Sequence, residues 1–210
     1  ACLAGCCVEQ LRRAAGGGAE EAALLCSAHQ IGAHSGLQAK PPAPLEARRH
    51  VLAAIQIRCA ALDEEGGGGG EGGGGAGAAA SRPSVRDLCA LHVSCLVRGV
   101  SEGVLSDDGA ELDHVVWALP PPARRLVVRL ELEETAQQLG RLREAAAARY
   151  LHRYAEAAGR RLLGLLPAGE DAHGRAQLLL RLAEVSRLFA AHRAHEAAAA
   201  DAAAGEAALA

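Results

Sequence analysis

The sequence predicts an all-α fold: a helical bundle with a long C-terminal antiparallel helical hairpin and a disordered glycine-rich loop. Three observations carry that expectation. Apolar residues recur at three- and four-residue spacing in most segments. Proline and glycine clusters fall between those segments, and no pair of alternating runs offers the two strands that a sheet needs. The chain has 210 residues, is 50% hydrophobic but only 2% aromatic, and carries a formal charge of −3. With 49 alanines and 25 glycines, much of its apolar content is methyl groups, and the expected core is thin.

The composition has a second reading. There is no Met or Asn, and a single Lys stands against 21 Arg. Residues written with A/T-rich codons are scarce, which points to a GC-rich genome and makes the alanine excess mutational. The missing Met extends to position 1, so the chain reads as processed, as a fragment, or as numbered after its start. No run approaches the ~18–20 apolar residues of a membrane helix, and the first residues lack the basic stretch of a signal peptide. Seven cysteines, an odd number set mostly in apolar helical contexts, suit buried thiols in a reducing compartment.

Taken in order, residues 1–63 read as short helices followed by one amphipathic helix. Leu3, Cys7, Leu11 and Ala14 share a face, and Leu24, Leu25 and Ile31 supply the apolar residues of a second short helix. Pro41-Pro42-Ala43-Pro44 interrupts the helix and reopens one near Leu45, because proline fits a first turn and nowhere deeper. Leu52, Ile55, Cys59 and Leu62 then follow the 3-4-3 spacing of a packing seam over roughly 45–63. Residues 64–83, rich in Gly and Ala, form a flexible linker, since ordering glycine costs backbone entropy and buries nothing.

The C-terminal helical unit spans 84–200. Ser84 three residues before Asp87 is a capping-box start, with Asp in place of the usual Glu. Val85, Leu88, His92, Leu96 and Val100 trace the buried stripe of that helix up to Gly103. A shorter helix carries Val115, Val116 and Leu119, with Trp117 expected to anchor it in the core. From Pro122 to Leu166 no proline intervenes, so one or two long helices are expected. Val128 to Glu133 alternates as an edge strand would, but Leu, Glu and Arg favour helix and no partner strand exists. Leu178, Leu182, Val185, Phe189 and His192 repeat at 4-3-4-3 and complete the hairpin. Residues 201–210 read as an Ala-rich tail that frays or rests on a partner.

No assembled catalytic set emerges, and an enzyme is not expected. Cys89-x-x-His92-x-x-Cys95 is the leading metal candidate, with two thiols and an imidazole in seven residues. On a helix at ~100° per residue, Cys95 sits ~120° from Cys89, a poor set for one tetrahedral ion, so packing between helices is the expected role. Glu131, Glu133 and Glu134 read as a solvated face. Arg149, Arg153, Arg160 and Arg161 belong to an arginine-rich stretch over 122–161 and are the candidate phosphate contacts.

The expected function is that of a non-catalytic accessory subunit in a multiprotein assembly, organellar (mitochondrion or plastid) or cytoskeletal and ciliary, with no cofactor and no small-molecule substrate. Its protein-interaction residues would be the seam positions Leu52, Ile55, Leu62, Leu182, Val185 and Phe189. The alternatives are an RNA-contacting subunit using the 122–161 arginines, and a metal or enzymatic protein centred on Cys89, His92 and Cys95.

Overall fold

A computed structural model describes residues 19–66, 83–106, 114–166 and 172–209. These residues form seven helices: α1 (Ala19–Gln38), α2 (Pro44–Gly66), α3 (Val85–Ser101), α4 (His114–Ala118), α5 (Pro121–Leu139), α6 (Ala145–Leu165) and α7 (Ala172–Leu209). No strand occurs among the described residues, and the all-α expectation is met. The face through Leu3, Cys7, Leu11 and Ala14, and the glycine run at 67–82, lie outside the described residues. The chain divides into two compact units, residues 1–104 with 113–127, and residues 105–112 with 128–210. The glycine run is therefore not the boundary between them, because α2 before it and α3 after it belong to the same unit.

In the first unit α2 is the hub, packing on α1, α3 and α4. Its proline start is as expected, with Pro44 in the first turn. Small residues set how closely α1 approaches. A Cβ on Gly36 would stand 3.1 Å from the Ala47 methyl, and one on Gly32 would stand 3.1 Å from the His50 ring. Leu25, Cys26, His29 and Ala33 fill the contact. Leu24 and Ile31, expected as the apolar residues of this helix, are 58% and 66% exposed instead. Helix α1 turns its small residues inward because only they allow so close a crossing.

Helix α3 begins as its sequence dictates. The Ser84 hydroxyl accepts from the Asp87 amide at 3.1 Å and the Asp87 carboxylate accepts from the Ser84 amide at 3.1 Å. It ends at Gly103, whose φ of +67° lets the amides of Gly103 and Val104 turn back to Val100 and Gly99. Val85, Leu88, His92, Leu96 and Val100 are all buried. Trp117, the expected anchor of α4, is only half-buried, whereas Val116 beside it and Leu119 just after the helix are buried.

The second unit contains most of α5, then α6 and α7. The proline-free stretch is broken at Gly140, where the amides of Arg141 and Leu142 bond to the Gln138 carbonyl and end α5. The 128–133 segment is helical. Three contacts define how α6 and α7 pair. Leu182 covers Gly159, the His152 and Phe189 rings stack at 4.3 Å, and Arg175 donates to the Leu166 carbonyl at 3.0 Å. Each seven-residue step back along α6 is matched by a seven-residue step forward along α7, so the two run antiparallel. Burial on Phe189 draws the His152 imidazole below its ordinary 6.5; Glu156 opposes that shift while Arg153 and Arg160 add to it.

A Cβ built on Gly159 would fall 2.5 Å from Leu182 Cδ2 and 2.8 Å from its Cγ, whereas one on the exposed Gly164 meets nothing within 4 Å. Gly159→Val should therefore lower stability by about 1–3 kcal/mol through overpacking, an effect relieved by Leu182→Ala. Gly164→Ala, five residues along the same helix, should raise stability by about 0.5–1 kcal/mol. Urea unfolding of the three variants beside the parent chain checks both signs.

Candidate functional site

The seven-residue Cys-His-Cys stretch is the first place to look for chemistry. Cys89, His92 and Cys95 are all fully buried on α3. The Cys89 thiol points to the Val127 carbonyl at 4.0 Å, and the His92 Nε2 accepts from Arg48 Nε at 3.2 Å. The imidazole lone pair that a metal would take is thus engaged with a guanidinium. Among the described residues no three His, Cys, Asp or Glu side chains come together as an ion-binding group. Burial pushes the Cys95 thiol up to about 12, against a small opposing pull from Arg48, and burial likewise raises Cys26, whose thiol donates to the Ala54 carbonyl. These are packed, protonated thiols.

The seam residues part company. Leu52 and Ile55 are consumed inside the chain's own first unit, and Val185 is buried under α6, while Leu182 and Phe189 are half-buried in the same pairing. The Leu62 side chain lies outside those described. The five described positions expected to face a partner hold this chain together instead, because 3-4-3 spacing marks a packed face without saying whose helix packs on it.

The acidic stretch also differs from its reading as a solvated face. Glu131 is 1% exposed and Glu134 is buried, and the Tyr154 hydroxyl donates to Glu131 Oε2 at 2.5 Å. Tyr150, one turn before Tyr154, is equally buried. Spacing offers a signal for this pair only in hindsight: Glu131 falls on the same stripe as Val127 and Val128, between apolar neighbours, where a carboxyl group needs a donor.

Arg149, Arg153 and Arg160 project from one exposed face of α6, and Arg161 is exposed about 100° further round. Glu156 sits within that face and bonds Arg160 at 2.6 Å. With both tyrosines of α6 buried, no ring on this helix is free to stack on a base.

Away from the seam positions, the second unit carries a cleft of about 440 Å³ lined by Arg129 and Glu133 of α5 and by Gln177, Leu180, Arg181 and Glu184 of α7. Arg181 spans its floor, bonding Glu133 at 3.2 Å and Glu184 at 3.0 Å. Leu180 on its rim is 69% exposed and Leu179 beside it is 53% exposed. Leu178-Leu179-Leu180 spread leucines over about 200° of the α7 surface, and only Leu178 is absorbed by the core. Among the described residues no helix is long and apolar enough to cross a membrane. No family model, no curated protein and no solved structure matches the chain.

Two outcomes follow from the buried groups. Cys95 keeps its proton in the folded state to about pH 12, but its ordinary value is 9.0. The folded state then binds more protons between those limits, so this residue's contribution is full below pH 9 and declines as pH rises toward 12. A pH series of thermal unfolding should show a shallower alkaline decline for Cys95→Ala than for the parent. Tyr154→Phe deprives the buried Glu131 of a donor and should cost about 1–3 kcal/mol, with part of the loss recovered on adding Glu131→Met, as a denaturant double-mutant cycle would show.

Proposed function

We propose that this chain is a non-catalytic helical subunit that joins proteins in a larger assembly, and that α7 is the element it presents. The observation that carries this reading is the length of α7. At 38 residues it is about 57 Å long, whereas α6 has 21 residues. The antiparallel register sets Glu196 level with Ala145, the first residue of α6, so the 13 residues from Ala197 to Leu209 continue with no α6 beside them. That extension is about 20 Å of helix, and Ala197 to Ala204 are exposed throughout. A helix this short and alone is marginal in water; here the packed half of α7 nucleates it. Two adjacent exposed leucines stand on the same helix. A soluble helix gains nothing from such residues unless a surface covers them.

A second reading, contact with RNA phosphates, is favoured by one observation, the exposed arginines 149, 153 and 160 on a common face. It is the weaker of the two, since Glu156 interrupts the face and the tyrosines are buried.

The two readings separate in an affinity purification of the tagged chain from its source, performed with and without ribonuclease. The protein-assembly reading expects stoichiometric companions that survive ribonuclease and are lost with Leu179→Ser/Leu180→Ser. Companions released by ribonuclease and lost with Arg149→Glu/Arg153→Glu would overturn it in favour of RNA.

A further inference from the structure

We infer that the exposed apolar line of α1, Leu24 with Ile31, is the docking surface for the chain's own N-terminal segment, residues 3–14, laid antiparallel along it. Residues 1–18 lie outside the described residues, whereas α1 is described from Ala19 onward. Leu25, Cys26, His29 and Ala33 form the buried side of α1. At ~100° per residue their mean direction is about 160° from that of Leu24 and Ile31, so the two exposed residues stand on the side turned away from α2. They are seven residues apart, two helical turns along one line, with the half-buried Ala28 between them. The exposed positions that follow on α1, His34, Ser35 and Gln38, are all polar.

The segment matches that line in spacing and in tether. Leu3, Cys7, Leu11 and Ala14 share one face at helical spacing, and the charged Glu9, Arg12 and Arg13 fall more than about 100° from the middle of it. Gly16-Gly17-Gly18 then connects to Ala19, a length within the about two to five residues that join antiparallel helices. A hairpin closed there matches each step back from Ala15 with an equal step forward from Ala19. Twelve steps back is Leu3, and twelve forward is Ile31. Leu11 comes within one residue, about 1.5 Å, of the level of Leu24, and Cys7 within one residue of Ala28. Both leucines of the segment's face are therefore level with the two exposed apolar residues of α1, and the small Cys7 with the small Ala28.

Two exposed apolar residues by themselves select no occupant; the register and the three-glycine tether select this one. A second copy or another protein must reach the line by diffusion, whereas the tether holds the segment beside it at an effective concentration of about millimolar.

The full-length chain carrying Ala28→Cys tests the register, because helices at the usual separation bring facing Cα atoms within the span of a disulfide. Cysteines 26, 59, 89 and 95 are buried and do not compete. Under mild oxidation of the dilute protein, peptide mapping should find position 28 bonded within the chain to Cys7, in preference to Cys2 and Cys6, which lie about 100° or more off the face. Hydrogen exchange of the parent and of Leu24→Ser/Ile31→Ser gives a second readout, with circular dichroism confirming that the variant, changed only at exposed positions, keeps its helices. Amides 5–14 should exchange about tenfold or more faster in the variant. A position 28 that bonds to nothing, or alike to Cys2, Cys6 and Cys7, overturns the inference. A bond joining two chains through position 28 also overturns it and gives the face to a second copy. So does a 5–14 segment that exchanges at one rate in both chains. None of these outcomes bears on the affinity purification, whose variants all lie on α6 and α7.

Discussion

The pairing of α6 with α7 depends on a side chain occupying the place where another residue would keep its own. Leu182 fills the volume above Gly159, with its Cγ and both methyls inside the reach of an absent Cβ. Close approach at this point fixes the separation of the helices and their register together, since one step along either helix would set Leu182 against a Cβ. The stacked His152 and Phe189 rings on one side and the Arg175 guanidinium at the end of α6 follow in the same register. From that register comes the overhang of α7, and with it the surface on which the functional reading stands.

The first unit solves the same problem with even smaller residues. Gly32 and Gly36 admit His50 and Ala47 against the α1 backbone, and His29 meets His50 through their Nδ1 atoms at 3.0 Å. Cysteines 26, 59, 89 and 95 are free and buried, and serve as small apolar fillers. A chain so poor in aromatic residues makes up in proximity what it lacks in side-chain bulk. Two pairs of its buried polar groups hold each other, Arg48 with His92 and Tyr154 with Glu131.

Much of the fold was legible, and the reasons are local. Ser84 with Asp87 marks a helix start because a hydroxyl and a carboxylate can trade amide protons over three residues. Pro44 opens α2 because a first turn needs no amide from it. Gly103 closes α3 because its φ is positive. The candidate site was far less legible. Leu52, Ile55 and Val185 have the spacing of a partner-facing seam and are internal, whereas Leu180, outside that stripe, is on the surface. Glu131 has the pattern of a solvated residue and is buried, because an acidic residue in a helical pattern carries no mark of whether a tyrosine 23 residues away will reach it.

By itself the sequence determined which segments are helical, where several of them start and stop, and that small residues rather than large ones would build the core. These properties depend on spacing, caps and backbone freedom within a few residues. Only the tertiary structure decided which stripe meets which, that α2 and α3 pack across the glycine run, that α7 outruns α6, and that Arg129 and Leu180 share a cleft. Those depend on long-range contacts, where a periodic apolar face fits any complementary face and a single glycine under a leucine selects one.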